Sequence, residues 1–229
     1  MHTADDIWWR EKSCNGAAIQ HFFLSSGKRY GKMKQKTIQN QTTKRKRDHD
    51  MKYMFASDVH GSAYYCRLML EKYKEEQAER LVLLGDLLYH GPRNDLPKEY
   101  APKEVIAMLN PLRNKIICVR GNCDTEVDQM VLDFNVLCEQ AYVNFNGCSI
   151  VLAHGHKLDE KNIPALNDGD ILLCGHTHVP KCEKRDGYIY MNPGSVSIPK
   201  ENSAHSYMIL DDKFYWKDLD GNVYMEQKY

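Results

Sequence analysis

The sequence of 229 residues predicts an α/β protein, and three observations lead to that fold class. The content of 42% hydrophobic and 27% charged residues is typical of a globular chain with a sizeable core. From Met51 onwards, short apolar runs alternate with amphipathic stretches at the spacing of βαβ units, which favours a mainly parallel sheet. The second half changes to short β runs separated by turn residues, which favours antiparallel strands.

The first half of this region contains three predicted strands and three predicted helices. The strands are short apolar runs at residues 52–57, 80–84 and 115–119. The helices are expected at residues 61–77, 102–109 and 125–133. Pro102 suits the first turn of the second helix, because the N–H that proline lacks is one that this turn leaves unpaired.

The second half consists of predicted hairpins and single β runs. Residues 142–145 and 149–153 flank Asn146-Gly147, a strong short-range signal for a two-residue hairpin turn. Asp220-Gly221 marks a last hairpin. Four further β runs are predicted at residues 171–174, 187–191, 206–210 and 213–216.

Charge separates residues 1–50 from the remainder of the chain. They hold 11 Lys/Arg and 5 Asp/Glu, a net charge of +6, whereas residues 51–229 hold 20 Lys/Arg and 26 Asp/Glu, a net charge of −6. Residues 32–50 are almost wholly polar and cannot bury enough apolar surface to offset the entropy of ordering. We therefore predict a basic, poorly ordered extension over residues 1–50 and one domain over residues 51–229. A natural start at Met51 is an alternative, because Met51 leads directly into the first predicted strand.

The eight cysteines and the short apolar runs indicate where in the cell the protein is located. No two cysteines form a C-x-x-C pair and several stand inside apolar runs, so we expect buried, reduced thiols rather than a disulfide framework. No apolar run reaches the length that crosses a bilayer, and the first ten residues lack a signal-peptide core. The sequence therefore predicts a cytoplasmic protein with no membrane partner.

Groups of Asp, His, Gly and Asn follow five of the predicted strands. In an open α/β sheet, ligand sites form beyond the carboxyl ends of the strands, so these groups are expected to meet. In chain order they are Asp58-Val59-His60, Gly85-Asp86, Gly121-Asn122-Cys123-Asp124, His154-Gly155-His156 and Gly175-His176-Thr177-His178.

The residue types in these groups indicate metal binding. Asp58 and His60 are two positions apart, as are His176 and His178, so an extended backbone would place both side chains of each pair on one face. Carboxylate, imidazole and amide ligands suit Mn²⁺, Fe²⁺ or Zn²⁺, and a thiolate-rich structural zinc site is not expected. The groups outnumber the ligands of one tetrahedral ion, which favours two ions that share a carboxylate.

This series of motifs resembles that of the calcineurin-like metallophosphoesterase superfamily. The motifs are Asp58-x-His60, Gly85-Asp86, Gly121-Asn122-x-Asp124, His154 and Gly175-His176-x-His178. Residues 88–94, 119–124 and 192–200 resemble its YfcE-type bacterial phosphodiesterase branch. The resemblance spans residues 51–229 and implies a four-layer α/β/β/α sandwich, in which two mixed sheets are flanked by helices.

The resemblance also implies a site and an activity. It implies that Asp58, His60 and His178 bind one metal ion and that Asn122, His154 and His176 bind the other. Asp86 would bind both ions. The expected reaction is hydrolysis of a small-molecule phosphodiester by in-line attack of a hydroxide that bridges two divalent metal ions. Mn²⁺ is the expected ion, with Fe²⁺, Zn²⁺ or Ni²⁺ as alternatives, and assembly into a homo-oligomer stays open.

One position departs from the superfamily pattern. The superfamily usually carries a histidine where this chain has Cys123; that histidine protonates the leaving oxygen, and the aspartate corresponding to Asp124 orients it. A neutral thiol is a poor substitute for an imidazolium acid. Asn122, Cys123 and Asp124 are therefore the catalytic candidates, and we expect a preference for diesters with good leaving groups.

Two alternative functions belong to other classes. A retromer subunit of the same fold works mainly in protein assembly, so a non-catalytic scaffold is the first alternative. The second is nucleic-acid binding through residues 44–47, although the net charge of −6 on residues 51–229 argues against nucleic acid as a partner.

Four further polar residues have more than one interpretation. His156 is an even choice between a substrate contact and an ordinary loop residue. His90 is expected to be structural or oligomer-facing. Arg93 and Arg120 are candidates for steering an anionic substrate.

Overall fold

The computed structural model describes residues 51–159 and 162–229. The predicted basic extension at residues 1–50 lies outside the described residues. Every helix in the described part of the chain is too short or too polar to cross a lipid bilayer.

Eleven strands and three α-helices make up this region. In chain order the strands are β1 (Tyr53–Ala56), β2 (Arg80–Leu83), β3 (Ile116–Cys118), β4 (Gln140–Phe145), β5 (Cys148–Ala153), β6 (Asp170–Leu173), β7 (Lys181–Lys184), β8 (Tyr188–Asn192), β9 (Ser206–Leu210), β10 (Phe214–Asp218) and β11 (Val223–Gln227). The helices are α1 (Ala63–Glu75), α2 (Pro102–Leu109) and α3 (Glu126–Gln129), and a 3₁₀ turn at Asn110–Leu112 follows α2.

The strands form two mixed sheets. The six-stranded sheet has the order β11-β10-β9-β1-β2-β3, and the five-stranded sheet has the order β4-β5-β6-β8-β7. In the first, β1, β2 and β3 are parallel, while β9 pairs antiparallel with β1. In the second, β5, β6 and β8 are parallel, while β4 and β7 pair antiparallel with their neighbours. The second half therefore contains more parallel pairing than its turn-rich sequence predicts.

The alternation of side chains along β1 divides the core into two layers. Met54 and Ala56 pack with apolar residues of α1 and α2. Tyr53 and Phe55 point the other way and pack with apolar residues of both sheets. Because successive side chains of a strand face opposite sides, one buried strand contributes to both layers. The predicted sandwich of two mixed sheets is confirmed.

No helix in the described residues covers the outer face of the five-stranded sheet. Leu172 and Tyr190 on this face are buried, and Leu158 and Leu166 from the segment between β5 and β6 pack against them. Residues 154–159 and 162–169, which include both leucines, are therefore irregular chain rather than helix.

The third helix is shorter than predicted. The sequence favours a helix over residues 125–133, but α3 ends at Gln129. The side-chain amide of Gln129 donates to the carbonyl oxygens of Leu132 and Phe134 at 3.2 and 2.9 Å, so it bonds where the helix would have continued. Leu132, Phe134 and Val136 are then buried at every second position, which is a strand-like period.

The turn residues predict one hairpin correctly, whereas one strand of the second sheet was not predicted. Asn146 and Gly147 have φ angles of 51° and 83°, as a type I′ turn requires, and join β4 to β5. The strand β7 has the polar sequence KCEK and lies at the edge of its sheet. A polar edge strand carries no hydrophobic pattern, so the sequence gives little sign of it.

Candidate metal centre

The loops that follow β1, β2 and β6 hold five non-glycine residues in a left-handed backbone conformation. The φ angles are 58° at Asp58, 47° at His60, 56° at Asp86, 67° at His176 and 62° at His178. This conformation is strained for residues with a Cβ atom, and such strain concentrates at functional sites. All five residues are among the predicted metal ligands.

Asp58, His60 and His178 form one group of buried side chains. Asp58 Oδ1 lies 3.7 Å from His60 Nε2 and 3.3 Å from His178 Nε2. The two Nε2 atoms are 3.2 Å apart. Residue exposure is at most 3% at all three positions, so water does not screen this group.

Asp86, Asn122 and His154 form a second group beside the first. Asp86 Oδ2 lies 3.5 Å from His154 Nε2 and 3.7 Å from His60 Nε2, so this carboxylate stands between the two groups. Asn122 Oδ1 is 3.1 Å from His154 Nε2. Gly121 permits the approach, because a Cβ atom there would overlap Asp86 Oδ1.

Backbone carbonyls orient three of the imidazoles. The Nδ1 atoms of His60, His154 and His178 lie 2.7, 2.6 and 2.6 Å from the carbonyl oxygens of Tyr89, Leu84 and Ile198. A carbonyl only accepts, so each Nδ1 carries a hydrogen, and in the neutral ring Nε2 presents a lone pair to the group. This is the usual arrangement of a metal-binding histidine.

The donor set fits divalent cations. Asp58 Oδ1 is fully buried and has no hydrogen-bond partner among the described residues. It faces the lone pairs of His60 and His178, which would repel one another at 3.2 Å without a cation between them. Oxygen and imidazole donors are those that borderline divalent ions prefer. Three groups with close ligand atoms occur here: Asp58 with His60 and His178, Asp58 with Asp86 and His154, and His60 with Asp86 and Cys123.

His176 is the most loosely placed of the seven predicted ligands. Its ring centroid lies 5.1 Å from that of His154 in an edge-to-face contact, and its side chain is only partly buried. Its backbone N–H donates to Asp58 Oδ2 at 3.1 Å. The structure therefore brings six of the predicted ligands into the cluster by direct atomic approach and leaves His176 beside it.

Asp124 is buried, and its carboxylate accepts hydrogen bonds from backbone N–H groups. Oδ2 accepts hydrogen bonds from the N–H groups of Asp86 and Gly121 at 2.8 and 2.7 Å, and Oδ1 accepts one from Leu87 at 2.9 Å. Burial raises its pKa to about 6, although these hydrogen bonds favour the charged form. Asp124 thus fixes the loop that carries Asp86.

The charges of the ligands act on one another's pKa values. Burial would lower the pKa of His154, but the carboxylates of Asp86 and Asp58 outweigh burial and raise it to about 9. Burial and the charge on His154 lower the pKa of His176 to about 4. Burial disfavours the ionised forms of Asp58 and Asp86, yet the neighbouring imidazoles hold both pKa values below the usual range. The cluster therefore favours bound positive charge.

Two serines that were not predicted as functional residues hold the Asp58 loop. The hydroxyls of Ser195 and Ser197 both donate to the Asp58 carbonyl oxygen at 2.9 Å. Asn192, at the end of β8, donates from its amide to the Gly175 carbonyl at 2.6 Å and so holds the loop of His176 and His178. The segment 192–200 contributes to the family resemblance, but as a sequence it resembles an ordinary turn.

The remaining polar candidates lie at different distances from the cluster. The ring of His156 lies 5.4 Å from that of His154 and 6.1 Å from that of His176. His90 contacts Tyr89 and Tyr100 edge-on, which is a structural role. Arg120 pairs with Glu126 at 3.5 Å and donates to the Asp124 carbonyl at 3.2 Å, so it is engaged in the loop itself. Arg93 lines a cavity that opens over the cluster.

Comparison with known proteins agrees with this geometry. The calcineurin-like phosphoesterase superfamily domain matches residues 51–213. The chain is 49% identical to phosphodiesterase YfcE of Escherichia coli strain K12 over 162 residues, which cover 71% of this chain and 88% of the relative. It is 26% identical to the probable metallophosphoesterase YsnB of Bacillus subtilis strain 168 over 168 residues, which cover 70% of this chain and 83% of the relative.

Solved structures show the same fold. The structure of YfcE, a phosphoesterase from E. coli, superposes with a TM-score of 0.74 at 46% identity, over 77% of this chain and 98% of that one. A single mutant of Vps29 from Entamoeba histolytica gives a TM-score of 0.53 at 22% identity, over 78% of this chain and 99% of that one, which is a likeness of fold alone. On the domain match and the identity to YfcE, the chain belongs to the calcineurin-like phosphoesterase superfamily.

Proposed function

We propose that this protein is a metal-dependent phosphodiesterase. The single observation that carries the proposal is the buried cluster of Asp58, Asp86 and three oriented imidazoles, in which one carboxylate oxygen has no partner among the described residues. The identity of 49% to a curated phosphodiesterase supports the same activity. Fold likeness alone would not, because one fold hosts many functions.

We assign the ligands of two divalent ions to the two groups of the cluster. Asp58, His60 and His178 would hold one ion, Asn122, His154 and His176 would hold the other, and Asp86 would contribute to both sites. The position of the Asp86 carboxylate between His60 and His154 supports the shared role. Divalent ions bound here would activate solvent at neutral pH and offset negative charge on the phosphoryl oxygens.

Asn122 and Cys123 face the substrate in this proposal. The side chain of Asn122 is exposed to the cavity over the cluster, and its Nδ2 donates to Cys123 Sγ at 3.2 Å. Its amide can therefore contact a phosphoryl oxygen without leaving the site. Burial and the charge of Asp86 hold the pKa of Cys123 far above its usual range, so its thiol is neutral at pH 7.

A neutral thiol is a weak hydrogen-bond donor. When solvent attacks phosphorus in line and the bond to the leaving oxygen breaks, that oxygen receives little help from Cys123. Diesters whose leaving groups are stable as anions should therefore react fastest. Mn²⁺ is the ion that we expect in the cell, and we place the reaction in the cytoplasm, where free thiols such as those of Cys118 and Cys174 stay reduced.

The competing candidate is a non-catalytic scaffold. Its support is the fold likeness to Vps29 at 22% identity. A scaffold has no need of five strained ligand positions and a buried carboxylate oxygen without a hydrogen bond, because both cost stability. The phosphodiesterase is therefore the better account of this site.

Hydrolysis of bis(p-nitrophenyl) phosphate tests the proposal. The purified full-length chain should release p-nitrophenol with added Mn²⁺, lose that activity after chelation and dialysis, and regain it when metal is restored. Parallel additions of Mn²⁺, Fe²⁺, Zn²⁺ and Ni²⁺, with elemental analysis, identify the effective ion. A chain that holds two divalent ions and still hydrolyses none of a panel of phosphodiesters would favour the scaffold.

A further inference from the structure

The cavity over the candidate metal centre has a volume of about 380 Å³, and its lining residues are of two kinds. One part of the lining is the ligand cluster with Asn122 and Cys123. The other part comprises residues 91–94, Thr177 and Lys200, none of which is a candidate ligand. The charged side chains of this second part are Arg93 and Lys200, so it is positive.

Neither cation is neutralised by a neighbour that the structure describes. Arg93 and Lys200 form no ion pair with a carboxylate in residues 51–159 and 162–229. By contrast, Arg185 pairs with Glu183 at 2.9 Å and Lys217 pairs with Glu76 at 2.6 Å. Residues 51–229 carry a net charge of −6, whereas both charged residues in this part of the lining are cations.

Hydrogen bonds tie Lys200, and Asn94 next to Arg93, to the loops around the centre. The Lys200 N–H donates to the His178 carbonyl at 3.2 Å, and its carbonyl accepts from Ser203 Oγ at 2.6 Å. On the other side, Asn94 Nδ2 donates to the His90 carbonyl at 2.8 Å. Gly91 packs on Cys123 so closely that a Cβ atom would lie 3.2 Å from its sulfur. Arg93 and Lys200 therefore lie on two different loops that line the same cavity.

The charge balance indicates the class of substrate. A simple phosphodiester carries one negative charge, which the ions of the proposed function already offset. Two additional cations exceed what the single charge of such a substrate requires, and they would repel those ions. A phosphate group matches them, because the arginine guanidinium binds two phosphate oxygens at once and the lysine ammonium adds a point charge.

We propose that Arg93 and Lys200 form an anion subsite for a second phosphate, so that the natural substrate is a phosphodiester that bears an additional phosphate group. The location of the scissile diester at the cluster rests on the proposed function. The subsite determines which diester is preferred and takes no part in bond breaking.

A matched pair of substrates tests this subsite. The p-nitrophenyl ester of thymidine 5′-phosphate and its 3′-phosphorylated analogue differ only in the extra phosphate, and both report diester cleavage by release of p-nitrophenol. The wild-type protein should show a kcat/KM about tenfold higher for the analogue, as expected for two partly exposed charge contacts. The double variant R93Q/K200Q should lose this preference, and Lys103→Gln, an exposed cation on α2, should keep it.

Binding without turnover separates this proposal from the proposed function. Calorimetry with thymidine 3′,5′-bisphosphate and thymidine 5′-phosphate should show about tenfold tighter binding of the bisphosphate to the wild type and equal binding to the double variant. Equal binding to the wild type overturns the subsite. An equal fall of kcat/KM for both esters in the double variant also overturns it, because the cations would then act on the scissile group. Failure of the wild type to cleave either ester counts against the phosphodiesterase alone.

Discussion

The metal centre and the cationic rim of Arg93 and Lys200 share one cavity but are built in opposite ways. Five of the seven predicted ligands are buried, five have a left-handed backbone, and backbone carbonyls fix three of the imidazoles. The two rim residues have exposed side chains, and the bond that holds Lys200 is made by its backbone. Chemistry at a metal requires ligand positions fixed to a fraction of an ångström, whereas selection among anions tolerates adaptable side chains.

This contrast predicts that substitutions have their largest effects in the buried cluster. Asp58→Asn keeps the size of the side chain but removes the charge that offsets a divalent ion. We expect kcat/KM for bis(p-nitrophenyl) phosphate to fall by at least about 10³-fold, since a metal ion contributes several kcal/mol to such a transition state. Elemental analysis should show less metal bound per chain.

The matched control for this variant is Asp186→Asn, an exposed carboxylate outside the cavity that lies over the cluster. It should retain wild-type activity and metal content. Undiminished hydrolysis by Asp58→Asn at wild-type metal content would contradict the ligand assignment.

The second-largest effect is expected where the two regions meet, at Cys123. Cys123→His introduces an imidazole that can protonate the leaving oxygen, and general acid catalysis contributes roughly 10²–10⁴-fold. The gain should lie at the lower end, about tenfold to a hundredfold, because three backbone N–H groups already hold the Asp124 carboxylate and leave it little freedom to orient the new ring. A series of aryl phosphodiesters should show a weaker dependence of rate on the leaving-group pKa.

Cys123→Ser is the control for this prediction, since a hydroxyl is also a poor acid. It should leave the leaving-group dependence unchanged. A histidine variant with no gain on any poor leaving group would show that proton donation does not limit this enzyme.

A smaller effect is expected behind the cluster. The double variant S195A/S197A removes both hydroxyls that donate to the Asp58 carbonyl. We expect Mn²⁺ affinity to fall about tenfold, as is typical when the groups that orient a ligand are lost, and the melting temperature to decrease. Ser149→Ala, on a strand away from the cavity, should change neither quantity. Equal metal affinity in the double variant and the wild type would mean that the left-handed Asp58 loop is stable without these bonds.

The sequence predicted the side chains of the candidate metal centre better than the residues that hold its loops in place. Asp58, Asp86 and His154 follow strands, and the strand ends of an α/β sheet converge, so their meeting could be inferred from pattern alone. Ser195 and Ser197 lie 137 and 139 positions from Asp58 and bond to its backbone, so no side-chain pattern links them.

The prediction of the fold has the same limit, because contacts made to the backbone could not be inferred from the sequence. The strands of the first half are marked by apolar runs and were predicted to within a residue or two, for example β2 at Arg80–Leu83. The end of α3 depends on a side-chain amide that bonds forward to two carbonyls, and β7 depends on pairing with β8 at a polar edge. Interactions that use the backbone as partner leave no periodic signal in the sequence.

The smallest effect is expected at His205, which supports the loop behind the cluster. Its Nδ1 lies 2.8 Å from the Val196 carbonyl, and its ring stacks on Tyr65 with centroids 4.0 Å apart. Burial lowers the pKa of His205 below 6.5, although the bond to Val196 opposes this shift. Acidification through about pH 6.5 therefore protonates His205 more readily in the unfolded chain than in the folded protein.

Because the unfolded state then binds more protons, the free energy of unfolding should fall as the pH drops from about 7.5 to about 5.5. His205→Gln does not titrate, so its stability should fall less over the same interval. Urea unfolding of both proteins in chelator at the two pH values measures the difference and removes any contribution from bound metal. Identical losses would place the acid sensitivity in other histidines, such as His60 and His176, whose pKa values burial also lowers. The support behind the cluster would then be indifferent to pH, and acid sensitivity would belong to the ligands themselves.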